Sequence, residues 1–429
     1  MTFQDFQFHP DVAAGITTAG YVTPTPIQAQ AIPAVMAGHD VMGLAQTGTG
    51  KTAAFALPIL HRLQPGPRGK VRALVVAPTR ELAEQINEAF VTYGRQTRLT
   101  STTIYGGVGL NPQIAALRRG VDIVIACPGR LLDHIGQGTI NLAQLEVLVL
   151  DEADQMFDMG FLPDIRRILK AVPKTRQTLL FSATMPEAIR GLAGETLTKP
   201  VTVQVDRVAP AVTVSHALYP VGQHLKTALL LGLLRHTDTE SVLIFTRTKH
   251  RAKRLDEKLQ QAGYRAASLQ GNLSQNRRQA ALDGFRDGSF QILVATDIAA
   301  RGIDVSQISH VINYDIPDTA EAYIHRIGRT GRAARSGDAF TLVTGEDTAM
   351  VRAIEKVLGK PLERRRLEDF DYQVPAPSKD TEFARPPRQP VVRRAKPVAA
   401  VAATDAEAAK PASSRRRFKR NGVRSGLAR

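Results

Sequence analysis

Ala45-Gln46-Thr47-Gly48-Thr49-Gly50-Lys51-Thr52 is the stretch that decides how this chain is read. Glycines at this spacing let the backbone wrap its amides around phosphate oxygens. The lysine neutralises β/γ charge, and the hydroxyl after it can ligate Mg²⁺. The first glycine of the usual phosphate-binding loop is replaced by Ala45. Context carries the assignment. Asp40-Val41-Met42-Gly43-Leu44 has the pattern of a strand, and residues 53–63 form an apolar helical run. That order sets bound phosphates at a helix N-terminus. Further along, the apolar strand Val147-Leu148-Val149-Leu150 ends in Asp151-Glu152-Ala153-Asp154. A carboxylate at a strand's C-terminal end can hold Mg²⁺ through water, and its neighbour can orient or activate an attacking water.

Around these two sites, apolar runs alternate with helical patterns. Strands are predicted at residues 71–77, 121–126, 147–150 and 178–182, with an amphipathic helix over Arg80–Tyr93. After a linker near Asp206-Arg207-Val208-Ala209-Pro210 the alternation restarts. Strands follow at 241–245, 291–295 and 310–314, and a helix over Lys249–Gln261 ends at Gly263. Apolar strands separated by helices indicate parallel sheets covered on both faces, so the fold class is α/β with two tandem domains. The expected division is 1–206, a linker at 207–212, a second domain at 213–370 and a tail at 371–429. The tail is rich in Pro, Ala and Arg and reads as disordered.

Composition narrows the function. The chain has 429 residues, 43% hydrophobic and 22% charged, as in globular proteins with real cores. One cysteine excludes a disulfide framework and a multi-cysteine metal site. No apolar run approaches a membrane span, and the first residues lack a signal-peptide pattern, so the chain reads as soluble and cytoplasmic. The net charge of +16 favours a polyanionic partner, and residues 371–429 contribute +9 of it. Arg415-Arg416-Arg417-Phe418-Lys419-Arg420 makes the tail a candidate nonspecific nucleic-acid tether.

The acidic motif spells D-E-A-D, and residues 1 to about 365 resemble the DEAD-box family of ATP-dependent RNA helicases, with a flavour similar to its bacterial RhlE-like subgroup. The resemblance implies two tandem RecA-like domains. Gly20-Tyr21 and Pro24-Thr25-Pro26-Ile27-Gln28 look like the family's Q motif, with Phe3 as its upstream aromatic. The resemblance then implies that Gln28 reads the adenine edge and Phe3 stacks near the base. Gln46, Thr47, Gly48, Thr49, Gly50, Lys51 and Thr52 would cradle the phosphates, with Thr52 and Asp151 on Mg²⁺, partly through water. Pro78-Thr79-Arg80-Glu81-Leu82-Ala83, Gly106-Gly107 and Pro128-Gly129-Arg130 resemble RNA-contacting motifs. Hydroxyls, glycines and arginines of this kind suit phosphate and sugar contacts, which position a strand without reading bases. The family usually has Thr where this chain has Cys127.

Ser182-Ala183-Thr184 matches the motif coupling hydrolysis to strand separation. In the second domain Phe245-Thr246-Arg247, Gln275 with Arg278, and Thr296-Asp297 resemble further RNA contacts, with Gln270-Gly271 in place of the family's His-Gly. Asp304 would meet the ribose. In His325-Arg326-Ile327-Gly328-Arg329-Thr330-Gly331-Arg332, the resemblance implies a coupling role for His325. Arg329 and Arg332 would reach the γ-phosphate, Arg332 as the arginine finger. Hydrolysis would therefore require closure of the two domains on RNA, with local, nonprocessive unwinding. The implied ligands are ATP, Mg²⁺ and RNA, single-stranded and duplex, acted on by a monomer without membrane contact. Ribosomal particles or RNA-decay machinery are the implied wider partners. An ATP-gated RNA clamp or scaffold, a tail-driven annealing chaperone and a DNA-acting enzyme share many of these features.

Overall fold

The structure is a computed structural model that describes residues 1–46, 48–205, 214–237, 239–300, 308–331 and 337–376. The expected linker at 207–212 and residues 377–429 of the tail lie outside the described residues. Within Met1–Ser378, two seven-stranded sheets form, and among the described residues neighbouring strands run parallel.

The first sheet comprises β1 (Val41–Leu44), β2 (Ala73–Val76), β3 (Ser101–Ile104), β4 (Ile123–Ala126), β5 (Val147–Leu150), β6 (Gln177–Ser182) and β7 (Val201–Gln204). Their order is β3-β4-β2-β5-β6-β1-β7. The second comprises β8 (Val214–Pro220), β9 (Val242–Phe245), β10 (Ala266–Leu269), β11 (Ile292–Ala295), β12 (His310–Asn313), β13 (Gly337–Val343) and β14 (Glu363–Arg364), in the order β10-β11-β9-β12-β13-β8-β14.

Alternation along each strand explains the layering. Ala73, Val75, Val147 and Val149 enter one core, while Leu74, Val76, Leu148 and Leu150 enter the core on the other face. Each fully buried aliphatic side chain is worth about 1.5–3 kcal/mol. A one-residue slip would exchange the two faces, so burial fixes the register. The second sheet repeats the device, with Val242 and Ile244 on one side and Leu243 and Phe245 on the other. Gly43 in β1 is forced by packing, because a Cβ there would stand 2.5 Å from the Phe181 ring.

The second domain's packing runs past Phe370. The Tyr372 ring meets Phe370 edge-on at 4.8 Å, and Val374 O is 2.7 Å from His224 Nε2. Among the described residues, no helix is long and apolar enough to cross a membrane.

Candidate functional site

The loop after β1 delivers its backbone to the helix Lys51–Leu63 through Gly48 and Gly50, both at positive φ. Gly50 has a second constraint, since a Cβ there would fall 2.4 Å from Gln28 Nε2. Lys51 is buried, and its Nζ donates to Ala45 O at 2.9 Å, so the ammonium is folded back over its own loop. Thr49 Oγ1 donates to Gln46 O at 2.7 Å. Thr52 sits in the first turn of the helix, where backbone N–H groups favour an anion. Thr47 lies outside the described residues.

Gln28 ties two motifs together. Thr25 N donates to its Oε1 at 2.9 Å, and its Nε2 donates to Gly50 O at 3.1 Å. An amide has two acceptor and two donor positions, so one of each is left over, aimed by the protein. Phe3 is buried and stacks on Tyr21 with centroids 5.6 Å apart at 14°. The ring of this pair that reaches solvent is Tyr21, 38% exposed.

Asp151 and Glu152 follow β5 and are both buried. Burial pushes the Asp151 carboxyl up to about 7, against the pull of Lys51 and with a further push from Glu152. A cation at this point would relieve the repulsion between the two acids. Among the described residues no group of three or more His, Cys, Asp or Glu could hold a metal. The two buried carboxylates Asp151 and Glu152 beside Lys51 suit Mg²⁺, which keeps waters and takes one or two carboxylates plus substrate phosphates.

Asp154 is the residue the sequence undervalues. Its Oδ2 accepts from Ala183 N at 3.1 Å, Thr184 N at 2.8 Å and Thr184 Oγ1 at 2.9 Å. Its own N–H bonds Ser182 Oγ at 3.2 Å, and that hydroxyl donates to Thr184 O at 2.7 Å. The acidic motif and the segment after β6 are thereby one rigid unit.

The other first-domain motifs converge as well. Thr79 caps the helix Arg80–Tyr93 by accepting from Leu82 N at 3.2 Å. The Arg80 guanidinium lies so close to Gly107 that a Cβ there would meet Nη1 at 2.2 Å. Arg130 donates to Val108 O at 3.2 and 3.3 Å, beside Gly106 and Gly107, and Pro128 opens its helix with Gly129 exposed. Burial pushes the Cys127 thiol up to about 12, assisted by Glu81, so it stays an unreactive thiol near neutrality.

From the second domain, Arg278 donates through Nε and Nη2 to Glu81 Oε1 at 2.8 and 2.6 Å. Arg80 Nη1 donates to Gln275 Oε1 at 3.2 Å. Burial lowers the His325 pKa, opposed by Asp154, with Arg329 lowering it further and Glu152 and Asp158 raising it. His325 sits in the last turn of the helix Ala320–Ile327, within electrostatic reach of the acids after β5. Arg329 is buried. Both oxygens of Asp297 accept from Arg326, at 2.5 and 2.7 Å, so this aspartate anchors the C-terminal end of the helix Ala320–Ile327. Thr296 immediately precedes it at the end of β11. Asp315 accepts from Arg247 N at 2.9 Å and pairs with Arg251 at 2.6 Å, anchoring Arg247. Asp304 and Arg332 lie outside the described residues. Glu81, Asp154, Arg326 and Asp315 were not legible as functional, although the first three sit inside recognisable motifs.

The family model described as DEAD/DEAH box helicase matches residues 25–192, and the one described as Helicase conserved C-terminal domain matches residues 225–334. The chain is 44% identical over 375 residues to the DEAD-box ATP-dependent RNA helicase CshA of Bacillus licheniformis, covering 87% of this chain and 77% of that protein. It is 46% identical over 378 residues to the ATP-dependent RNA helicase DeaD of Mycobacterium tuberculosis, covering 87% and 66%. Among solved structures, S. cerevisiae Dbp5 bound to RNA and ADP BeF3 superposes with a TM-score of 0.77 at 32% identity, covering 85% of this chain and 95% of that one.

Proposed function

The chain belongs to the DEAD-box family of ATP-dependent RNA helicases, and on that premise we propose how its residues divide the work. Residues 1–206 and 213–370 act as two RecA-like domains joined at 207–212, with Tyr372 and Val374 packed onto the second. Lys51 and the backbone of residues 46–50 hold the triphosphate. Gln28 reads the adenine edge with its remaining donor and acceptor, Phe3 backs the base through Tyr21, and Asp304 takes the ribose. Thr52 and Asp151 would hold Mg²⁺, partly through water, and the bound ion would supply charge neutralisation on the phosphate oxygens. Glu152 orients the attacking water. Arg329 and Arg332 bring positive charge from the other domain, where a finger of this kind is worth about 10³–10⁵ in rate.

RNA runs over Pro78, Thr79, Arg80, Gly106, Gly107, Pro128, Gly129 and Arg130 on one domain. On the other it runs over Arg247, Gln275, Arg278, Thr296 and Asp297, the last acting by fixing Arg326. Ser182, Thr184 and His325 couple this track to hydrolysis. The observation that carries the reading is the pair of contacts between motifs of the two domains, Arg278 on Glu81 Oε1 at 2.8 and 2.6 Å and Arg80 Nη1 on Gln275 Oε1 at 3.2 Å. They join the RNA-contacting motifs of the two domains. Binding RNA and ATP together closes the cleft and expels a few base pairs of partner strand; phosphate release reopens it. The basic tail adds a nonspecific tether and favours an RhlE-like placement within the family. We assign the wider setting to a cytoplasmic monomer acting on ribosomal or decay RNA.

ATP turnover and nucleotide-dependent RNA retention in two variants test the roles. Lys51→Ala should abolish hydrolysis by removing the cationic partner of the phosphates. Glu152→Gln should abolish hydrolysis yet keep ATP and hold RNA longer. Equal loss of nucleotide binding in both would refute the division of labour.

A further inference from the structure

The second domain contains a cavity of about 620 Å³ where β8 and β13 end, at Pro220 and Val343. None of the residues given a role above lines it. Its floor is apolar, built from Leu218, Val343 and Val351. One wall is the helix Thr348–Leu358, whose Thr348, Arg352 and Glu355 recur at the spacing of a single face. The opposite wall continues the sheet edge. Arg365 N donates to Leu218 O at 2.8 Å, so extended pairing runs past β14 and sets Arg364 and Arg366 on the same side.

The charge of this groove is positive. Glu355 is the one carboxylate among its described lining residues, and its Oε1 already accepts from Arg364 Nη1 at 3.3 Å and Leu362 N at 3.0 Å. Arg352 and Arg366 remain for an anion, and Arg366 is preorganised over the Tyr372 ring at 4.8 Å. Stacked guanidinium groups recognise phosphate oxygens well. An apolar floor beside them suits a nucleobase.

Position selects the ligand. All strands of the sheet are parallel, so their C-terminal ends share one edge. Arg247, Gln275 and Thr296 follow β9, β10 and β11 on that edge. The end of β8 stands three strand intervals from β9, roughly 14 Å at ~4.8 Å each. We propose that the groove binds a nucleotide of the RNA strand beyond the segment held by the helicase motifs, with its phosphate on Arg352 and Arg366 and its base over the apolar floor. This inference rests on the helicase reading and extends its RNA track.

The test compares the full chain with its Arg352→Gln/Arg366→Gln variant on single-stranded RNAs of increasing length, across a salt series. The wild type should gain affinity once a strand outgrows the motif track. The variant should lose that gain while matching the wild type on the shortest strands. Its log–log salt slope on long strands should be shallower by about 0.7, the change expected for one phosphate neutralised on a single strand. Arg352→Lys/Arg366→Lys should restore the slope, which also checks folding. An unchanged length gain and slope in the glutamine variant would overturn the groove. So would an equal loss on short and long strands, or full competition by a free mononucleotide. A wild type that binds no RNA at any length would instead overturn the helicase reading itself.

Discussion

Asp154 is buried and collects three donors on one carboxylate oxygen, joining the residues after β5 to those after β6. Asp154→Ala would leave those donors unmatched in a dry site, at about 1–3 kcal/mol for such a loss. The expected result is a lower urea midpoint, with duplex displacement falling further than ATP hydrolysis. Equal falls would mean that Asp154 only stabilises the fold. In the sequence this residue is just the last letter of an acidic run, because its partners lie far along the chain and hydrogen bonds between loops leave no local pattern. His216 makes a prediction of a different kind. Burial lowers its pKa to about 4, with Lys360 lowering it further, and its Nδ1 is 3.1 Å from Tyr323 Oη. The unfolded chain therefore binds the proton more readily between pH 6.5 and 4. The stability His216 contributes is present above 6.5 and is lost as pH falls toward 4. Thermal midpoints across that window should drop more for the wild type than for His216→Phe; parallel curves would contradict the assignment.

At the scale of elements, two helix N-termini meet across the domains. Arg80–Tyr93 presents Arg80 and Glu81, and Gln275–Arg286 presents Gln275 and Arg278. The Glu81 and Arg278 side chains are 4% and 12% exposed, and breaking a buried pair costs about 3–5 kcal/mol. Glu81→Gln should thus lower RNA-stimulated turnover several-fold while leaving turnover without RNA nearly unchanged. The exchange Glu81→Arg/Arg278→Glu should recover part of the loss in a double-mutant cycle, whereas additive effects would show that the pair does not join the domains. The elements themselves were unevenly legible. β2, β4, β5, β9 and β11 are buried on both faces and read as unbroken apolar runs. β3 and β7 stand at sheet edges with polar residues facing out, and the two-residue β14 is fully exposed, so none of the three leaves an apolar signature. The end of the second domain was also hidden, because Tyr372 and Val374 are held by single contacts rather than by a periodic face.

The whole molecule repeats one architecture twice, and the ordered motifs announce both copies because loops after parallel strands keep recognisable residue types. What the motifs leave unsaid is how the copies meet; Arg278 on Glu81 and Arg80 on Gln275 are contacts between them. If ATP and RNA both stabilise the joined arrangement, each must tighten the other by the same factor. The most direct test is equilibrium RNA affinity with and without a nonhydrolysable ATP analogue, paired with affinity for that analogue with and without RNA. The account predicts that both ratios are equal and lie at about tenfold or more, within the usual range for coupled sites. Affinities that are indifferent to the second ligand would contradict it.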